Sequence, residues 1–284
     1  MAYNYDLHAH STASDGTLTP AELVARARAQ GVHVLALTDH DDVGGLAEAA
    51  AAAHEEGVAL VPGIELSVTW SHQTIHIVGL GIDPDHEALA AGIARQHAFR
   101  AWRAQEIGRR LEKKGIGGAL EGARRLARGE IVSRTHFARF LVEQGHAASV
   151  QEVFRRYLVR GKPGYVPGDW ATLEEVVGWI TAAGGQAVLA HPARYRLSAS
   201  RLRRLAAEFR DLGGTALEVL SGSQARDHAV HLAQLARRCG LAASRGSDYH
   251  GPPSPWVELG RLPPLPEGCT AIWETSGWTG PVAA

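Results

Sequence analysis

Short apolar runs alternate with helical stretches along most of this chain, and that rhythm constrains the fold more than any other feature. Residues 3–7, 32–37, 59–66, 74–79, 186–190, 216–220 and 241–244 read as strands. Helical patterns at 19–30, 44–56, 173–183, 200–212 and 227–238 fall between most of them. Alternation of this kind is the signature of βα units around a parallel sheet. Thr19-Pro20 marks a helix start, with proline in the first turn, and Gly31 a stop. From about Asp85 to Arg160 the rhythm lapses into helical patterns rich in Arg, Ala and Glu, broken by Gly115-Ile116-Gly117-Gly118. The expected organisation is one α/β barrel made of residues 1–84 and 165–284, with a helical insertion at 85–164. A length of 284 residues suits one such barrel, and a 45% hydrophobic content supports a sizeable core. The proline-rich tail from Pro252 carries Trp256, Trp273 and Trp278 and is expected to pack across the barrel.

Several function classes recede at once. The formal net charge is -1, so no global field favours a polyanion or a membrane surface. Two cysteines, Cys239 and Cys269, without CxxC spacing argue against a disulfide framework or a thiolate zinc site. The first residues have no basic and apolar leader pattern, and no apolar run is long enough to span a bilayer. A soluble cytoplasmic monomer is the expectation. No extended basic-aromatic track of the kind that long single strands need is visible along the sequence.

Fifteen histidines are present where ordinary usage predicts roughly six. Their placement explains the excess. His8 and His10 follow the first strand, with Asp15 just after. Asp39 and His40 follow the second strand, Glu65 ends the third, and His76 lies on the fourth. His191 ends the strand after the insertion, and Asp248 and His250 end the last. In parallel α/β barrels the C-terminal strand ends build the active site. Residues at i and i+2 on an extended segment point the same way, so His8/His10 and Asp248/His250 each aim two groups at one pocket. So many imidazoles and carboxylates in one space are costly without cations, and mixed N/O ligands suit Mn, Zn or Fe. His33, His54, His72, His86, His97, His146, His228 and His231 lie away from strand ends and read as ordinary surface or core groups.

The segments DLHAHSTASDGTLTP, ALTDHDDVGG, PGIELS, HIVGLG, AHP and GSDYHG, in this order, resemble the PHP (polymerase and histidinol phosphatase) family. The resemblance implies a distorted seven-stranded (β/α) TIM-like barrel that binds two or three divalent ions, with Mn favoured and Zn or Fe as alternatives. Carried over residue by residue, it implies one ion on His8, His10, Glu65 and Asp248. A second would sit on Glu65, His76 and His191, and a third on Asp15, His40 and His250. Asp39 would steady an imidazole from behind. Within the family the chain looks most like small stand-alone phosphoesterases with a helical insertion. Some of these remove the 3′-phosphate of nucleoside 3′,5′-bisphosphates, and close relatives trim short RNA. VSRTHFAR places Ser133, Arg134 and His136 in the insertion, and RGKPGYVP places Arg160, Lys162 and Tyr165 where the chain re-enters the barrel. These residues are the candidates for holding a second phosphate, because arginine forks match phosphate oxygens and lysine adds a point charge.

The function expected is metal-dependent hydrolysis of a phosphate monoester such as pAp, with Glu65, Asp248 and His191 at the reacting centre and His191 as a proton donor. The alternatives are a 5′-to-3′ exonuclease on short RNA and another PHP phosphoesterase such as a histidinol phosphatase. A C–N hydrolase and a non-catalytic nucleotide sensor fit the residues less well. The expected partner is a small phosphorylated nucleotide or short RNA, not duplex DNA and not a membrane.

Overall fold

A computed structural model describes residues 3–222, 224–252 and 256–278. Seven strands form one sheet in sequence order: β1 (Tyr5–Asp6), β2 (Val34–Leu37), β3 (Ala59–Trp70), β4 (Gln73–Leu80), β5 (Gln186–Leu189), β6 (Ala216–Ser221) and β7 (Ala242–Gly246). The Leu7 N–H donates to the Arg245 carbonyl, and Ala9 bridges Tyr249 in parallel, so β1 meets β7 and the sheet closes on itself. The closure is tight: a Cβ added at Gly246 would lie 2.2 Å from the His8 Cβ. The expected barrel is therefore present.

One strand departs from the parallel expectation. β4 runs antiparallel to both β3 and β5. The cause is local. Only Ser71 and His72 separate β3 from β4, with φ of 48° and 62°, and two consecutive positive φ values make the turn that joins antiparallel strands. His76 therefore lies in the first half of β4, opposite Ser67, and that half sits at the same barrel end as the C-termini of the parallel strands. β1 is also shorter than read, because the chain after Asp6 peels away to deliver His8 and His10.

α1 (Pro20–Ala29) begins with a capping box between Thr19 and Glu22, as the Thr-Pro signal implied. α2 (Leu46–Glu56) follows β2. Side-chain alternation divides the core. Val34 and Ala36 join Leu7, Val61, Val78, Val188 and Ala216 in the barrel interior. Leu35 and Leu37 face the helices in a larger cluster with Leu23, Val177 and Phe209. The tail contributes Ile272 to the interior cluster, and Trp273 stacks on Tyr5 at 4.2 Å. Trp278 packs against the same cluster. Trp256 does not follow the expectation; it is 86% exposed.

Four α-helices and a π-helical turn (Phe154–Leu158) separate β4 from the resumed βα pattern; the α-helices are α3 (Glu87–Glu112), α4 (Ala119–Leu126), α5 (Arg134–Glu143) and α6 (Val150–Val153). They build a second apolar cluster around Ile107, Leu111, Phe137 and Leu141. The first turns of α3 belong instead to the barrel, through Leu89 and Ile93. α7 (Leu173–Ala182), α8 (Ala199–Asp211) and α9 (Arg226–Cys239) complete the outer ring.

Candidate metal centre

The strand-end residues converge. His8 Nε2 lies 3.1 Å from His10 Nε2, and the latter lies 3.0 Å from Asp248 Oδ1. Both nitrogens are 3.4 Å from Glu65 Oε2. Glu65 Oε1 meets His76 Nδ1 at 2.9 Å and His191 Nε2 at 2.8 Å. His250 Nε2 is 3.2 Å from Asp15 Oδ1. Three groups have donor atoms within 4.8 Å of one another: His8, His10, Glu65 and Asp248; His40, Glu65 and His76; and His10, Asp15, His40 and His250. The grouping differs from the family-based sets in three respects: His40 joins Glu65 and His76, His10 joins Asp15, His40 and His250, and His191 falls in none of the three groups. His40 turns Nδ1 to Glu65, at 2.7 Å, and Nε2 toward Asp15, at 3.8 Å, so it faces two groups at once. His191 directs Nε2 at Glu65 Oε1, the carboxylate oxygen that His76 also meets.

The electrostatics favour cations. Burial alone would raise the carboxyl pKa values of Glu65, Asp15 and Asp248. The surrounding imidazoles, and Arg194 at Asp248, outweigh it and hold all three well below the usual carboxylate range. Burial lowers His10 to about 3 and His76 to about 4, which keeps their ligand lone pairs free of protons. Glu65 Oε2 and His40 Nδ1 lie 2.7 Å apart and Asp15 Oδ1 lies 3.2 Å from His250 Nε2, yet none of these buried atoms makes a hydrogen bond of acceptable geometry. Such orphaned atoms are rare unless a bound group satisfies them. A mixed N/O donor set with orphaned carboxylate oxygens fits hard or borderline divalent ions.

Several positioning residues escaped the sequence reading. Glu218, buried on β6, takes His8 Nδ1 at 2.7 Å and accepts the His191 N–H at 2.6 Å. The only signal for it was a carboxylate inside the apolar run ALEVL. The Tyr195 hydroxyl accepts the His76 N–H at 2.8 Å. Arg194 pairs with Asp248 Oδ2, leaving Oδ1 toward the imidazoles. Asp41 accepts from Ser67 N–H at 2.6 Å and from Arg100 Nε at 2.7 Å, tying the loop after β2 to β3 and α3. Asp39 was expected to steady an imidazole. It instead accepts from the Ser11 N–H and hydroxyl and from the Ser14 hydroxyl, so it shapes the loop after β1. Asp41, His191 and Asp248 have φ of 50°, 30° and 53°, strain of the kind that gathers at functional sites.

The insertion residues divide. Arg134, in the first turn of α5, lines a cleft that also reaches Asp15, His40 and His76. Ser133 donates its hydroxyl to Asp15 Oδ2 at 3.0 Å, so it fastens the insertion to the metal-side loop. His136 is buried. Its Nδ1 accepts the Ser133 N–H at 3.1 Å, and burial keeps it neutral, with a pKa of about 4. It lines neither this cleft nor the adjoining cavity. Arg160 and Tyr165 line that adjoining cavity, whereas Lys162 is exposed and lines neither.

A seven-stranded barrel with an imidazole–carboxylate cluster at the C-terminal ends of its parallel strands defines a metal-site α/β barrel. The model of the PHP domain family matches residues 6–220, and the chain belongs to the PHP family. It is 50% identical over 271 residues to a 3′,5′-nucleoside bisphosphate phosphatase from Chromobacterium violaceum, covering 95% of each chain. It is 51% identical over 272 residues to the 5′-3′ exoribonuclease Rnm of Escherichia coli K12, covering 95% of this chain and 92% of that one. Its fold is similar to a structure of an amidohydrolase from Chromobacterium violaceum with bound sulfate and no metal, with TM-score 0.91, 50% identity and coverage of 95% and 94%.

Proposed function

We propose that this protein is a metal-dependent phosphatase that removes the 3′-phosphate from nucleoside 3′,5′-bisphosphates such as pAp, leaving a nucleoside 5′-monophosphate and phosphate. The observation that carries this reading is the shared wall between two unlike spaces: Arg134 borders both the cleft over Asp15, His40 and His76 and a second cavity lined by further arginines. A ligand with one phosphate at the cluster and a second on Arg134 and Arg103, the two arginines common to both spaces, suits that pairing.

His8, His10, Glu65 and Asp248 would hold one divalent ion. Glu65, His76 and His191 would hold a second, and Asp15, His40 and His250 a third, with manganese favoured over zinc or iron. When bound, such ions neutralise phosphoryl charge and lower the pKa of water toward neutrality. Water attacks phosphorus in line with the ribose 3′-oxygen, the P–O3′ bond breaks, and the ribose oxygen leaves with a proton. His191, with its Nε2 2.8 Å from Glu65 Oε1, is also the candidate that would supply this proton. Arg134 and Arg103 would grip the 5′-phosphate and fix the substrate, converting remote binding into positioning at the scissile bond. Ser133 and His136 would hold the start of α5, and hence Arg134, in place. The insertion would then act as a lid over the barrel mouth.

A 5′-to-3′ exonuclease on short RNA is the second reading, supported by the equal likeness to Rnm. No helix among the described residues is long and apolar enough to cross a membrane. We take the protein as a cytoplasmic monomer acting on small nucleotides or short RNA rather than on duplex DNA. The test is a substrate panel with added manganese: pAp, AMP, histidinol phosphate, and a short 5′-phosphorylated oligoribonucleotide, with products resolved by chromatography. Conversion of pAp to AMP is expected. Turnover of histidinol phosphate with inert pAp would overturn the reading.

A further inference from the structure

The second cavity holds about 360 Å³ and shares Thr74, Arg103 and Arg134 with the cleft over the metal cluster, so the two are continuous. Its rim comes from three segments far apart in sequence: His72 on the β3–β4 turn, Arg160 in the insertion, and Arg194 with Arg196 beyond His191. Five guanidinium groups therefore border one space. Among the described residues only Arg194 of the five has a carboxylate within ion-pair distance, Asp248. The whole chain is close to neutral, so this concentration of charge is local. Burial, and after it the nearby Arg134 and Arg100, bring Arg103 down to about 9.

A bisphosphate supplies two phosphates, one for the imidazole–carboxylate cluster and one for Arg134 and Arg103. That leaves Arg160, Arg194 and Arg196 of the same cavity without a phosphate. Arg194 ties this remainder to the cluster, because it contacts Asp248 while lining the cavity. Gly222 makes room for it; a Cβ there would lie 2.9 Å from Arg194 Nη2. Arg196, two residues further on, is exposed on the same rim. The basic surface continues past the turn, where Arg204 donates to the Ser71 hydroxyl at 3.3 Å and lies 4.9 Å over the Trp70 ring. Tertiary structure thus assembles a basic surface that the linear sequence does not display; the Trp70 ring beneath Arg204 is itself buried.

We propose that Arg196, with His72 on the same rim, forms a subsite for the phosphate that follows the scissile one in a single-stranded RNA. The inference rests on the phosphoesterase reading above and adds what lets the same centre accept a chain as well as a mononucleotide. Lysine and arginine contacts to backbone phosphates position a strand without reading its sequence, so the subsite is indifferent to base.

The test compares wild type, Arg196→Ala, Arg196→Glu and, as an exposed control on α8, Arg203→Ala. Steady-state kinetics are measured with manganese on pAp and on a 5′-phosphorylated pentaribonucleotide. Binding of a 3′-fluorescein pentaribonucleotide is followed separately by anisotropy without added metal. Arg196→Ala is expected to raise the pentanucleotide KM and Kd about five- to tenfold, and Arg196→Glu more, with pAp kinetics unchanged. The log–log salt dependence of pentanucleotide binding should flatten by about 0.7. Unchanged pentanucleotide affinity and salt slope in Arg196→Glu, or equal damage to pAp, would overturn the subsite. A wild type inert on both substrates would instead sink the phosphoesterase reading, and the anisotropy arm would still decide the subsite.

Discussion

Glu218 Oε1 lies 2.7 Å from His8 Nδ1, and this contact turns His8 Nε2 toward His10, Glu65 and Asp248. The same carboxylate holds the His191 backbone through its other oxygen. One buried side chain on β6 therefore orients ligand candidates from two separate segments, those after β1 and β5. Replacing Glu218 with Gln should weaken divalent-ion binding about 10- to 100-fold, the usual cost of removing a carboxylate behind a ligating imidazole. Titration calorimetry with manganese measures this, and unaltered affinity would refute the role.

Arg134 lines both spaces and offers a test that would separate positioning from chemistry. Arg134→Ala should leave turnover of an aryl phosphate within about twofold while lowering kcat/KM for pAp at least about a hundredfold, since remote binding supplies orientation. Parallel kinetics on the two substrates check it. Equal loss on both would show that Arg134 acts at the reacting centre.

Metal removal should destabilise as well as inactivate. In the metal-free cluster three buried carboxylates are kept ionised only by the surrounding imidazoles and Arg194, and a bound cation adds to that compensation. Stripping the protein with chelator should lower its melting temperature. Manganese at about a hundred times its Kd should restore about 2.7 kcal/mol. Asp248→Asn should blunt that recovery. A melting temperature insensitive to chelator and to manganese would contradict the assigned ligand cluster.

The Asp41–Arg100 pair anchors α3 to the barrel. Both side chains are buried, and Arg100 also reaches the Ser67 hydroxyl at 3.2 Å. Asp41→Ala strands a buried guanidinium, and the expected loss is about 3–5 kcal/mol in denaturant unfolding. The double change Asp41→Ala, Arg100→Met should recover much of it. A single variant as stable as wild type would show the pair to be incidental.

Much of the site was legible because its residues are rare types in fixed places. Imidazoles and carboxylates at the ends of apolar runs stand out, and parallel strands carry them to one rim. Glu218 and Arg194 were not legible. A lone acid in a strand and a lone arginine in an arginine-rich chain carry no signal until their partners are known. Lys162 illustrates the converse, since its glycine- and proline-rich surroundings gave it weight and yet it lies exposed outside both cavities.

By itself the sequence determined the alternation of strand and helix, the break at the insertion and the candidate ligand types, because periodicity and residue chemistry are local properties. Tertiary structure alone decided the direction of β4, the splitting of His40 between two ligand groups and the gathering of five arginines around one cavity. Each of these depends on distances between segments separated by tens to hundreds of residues, and such distances exist only once the barrel has closed.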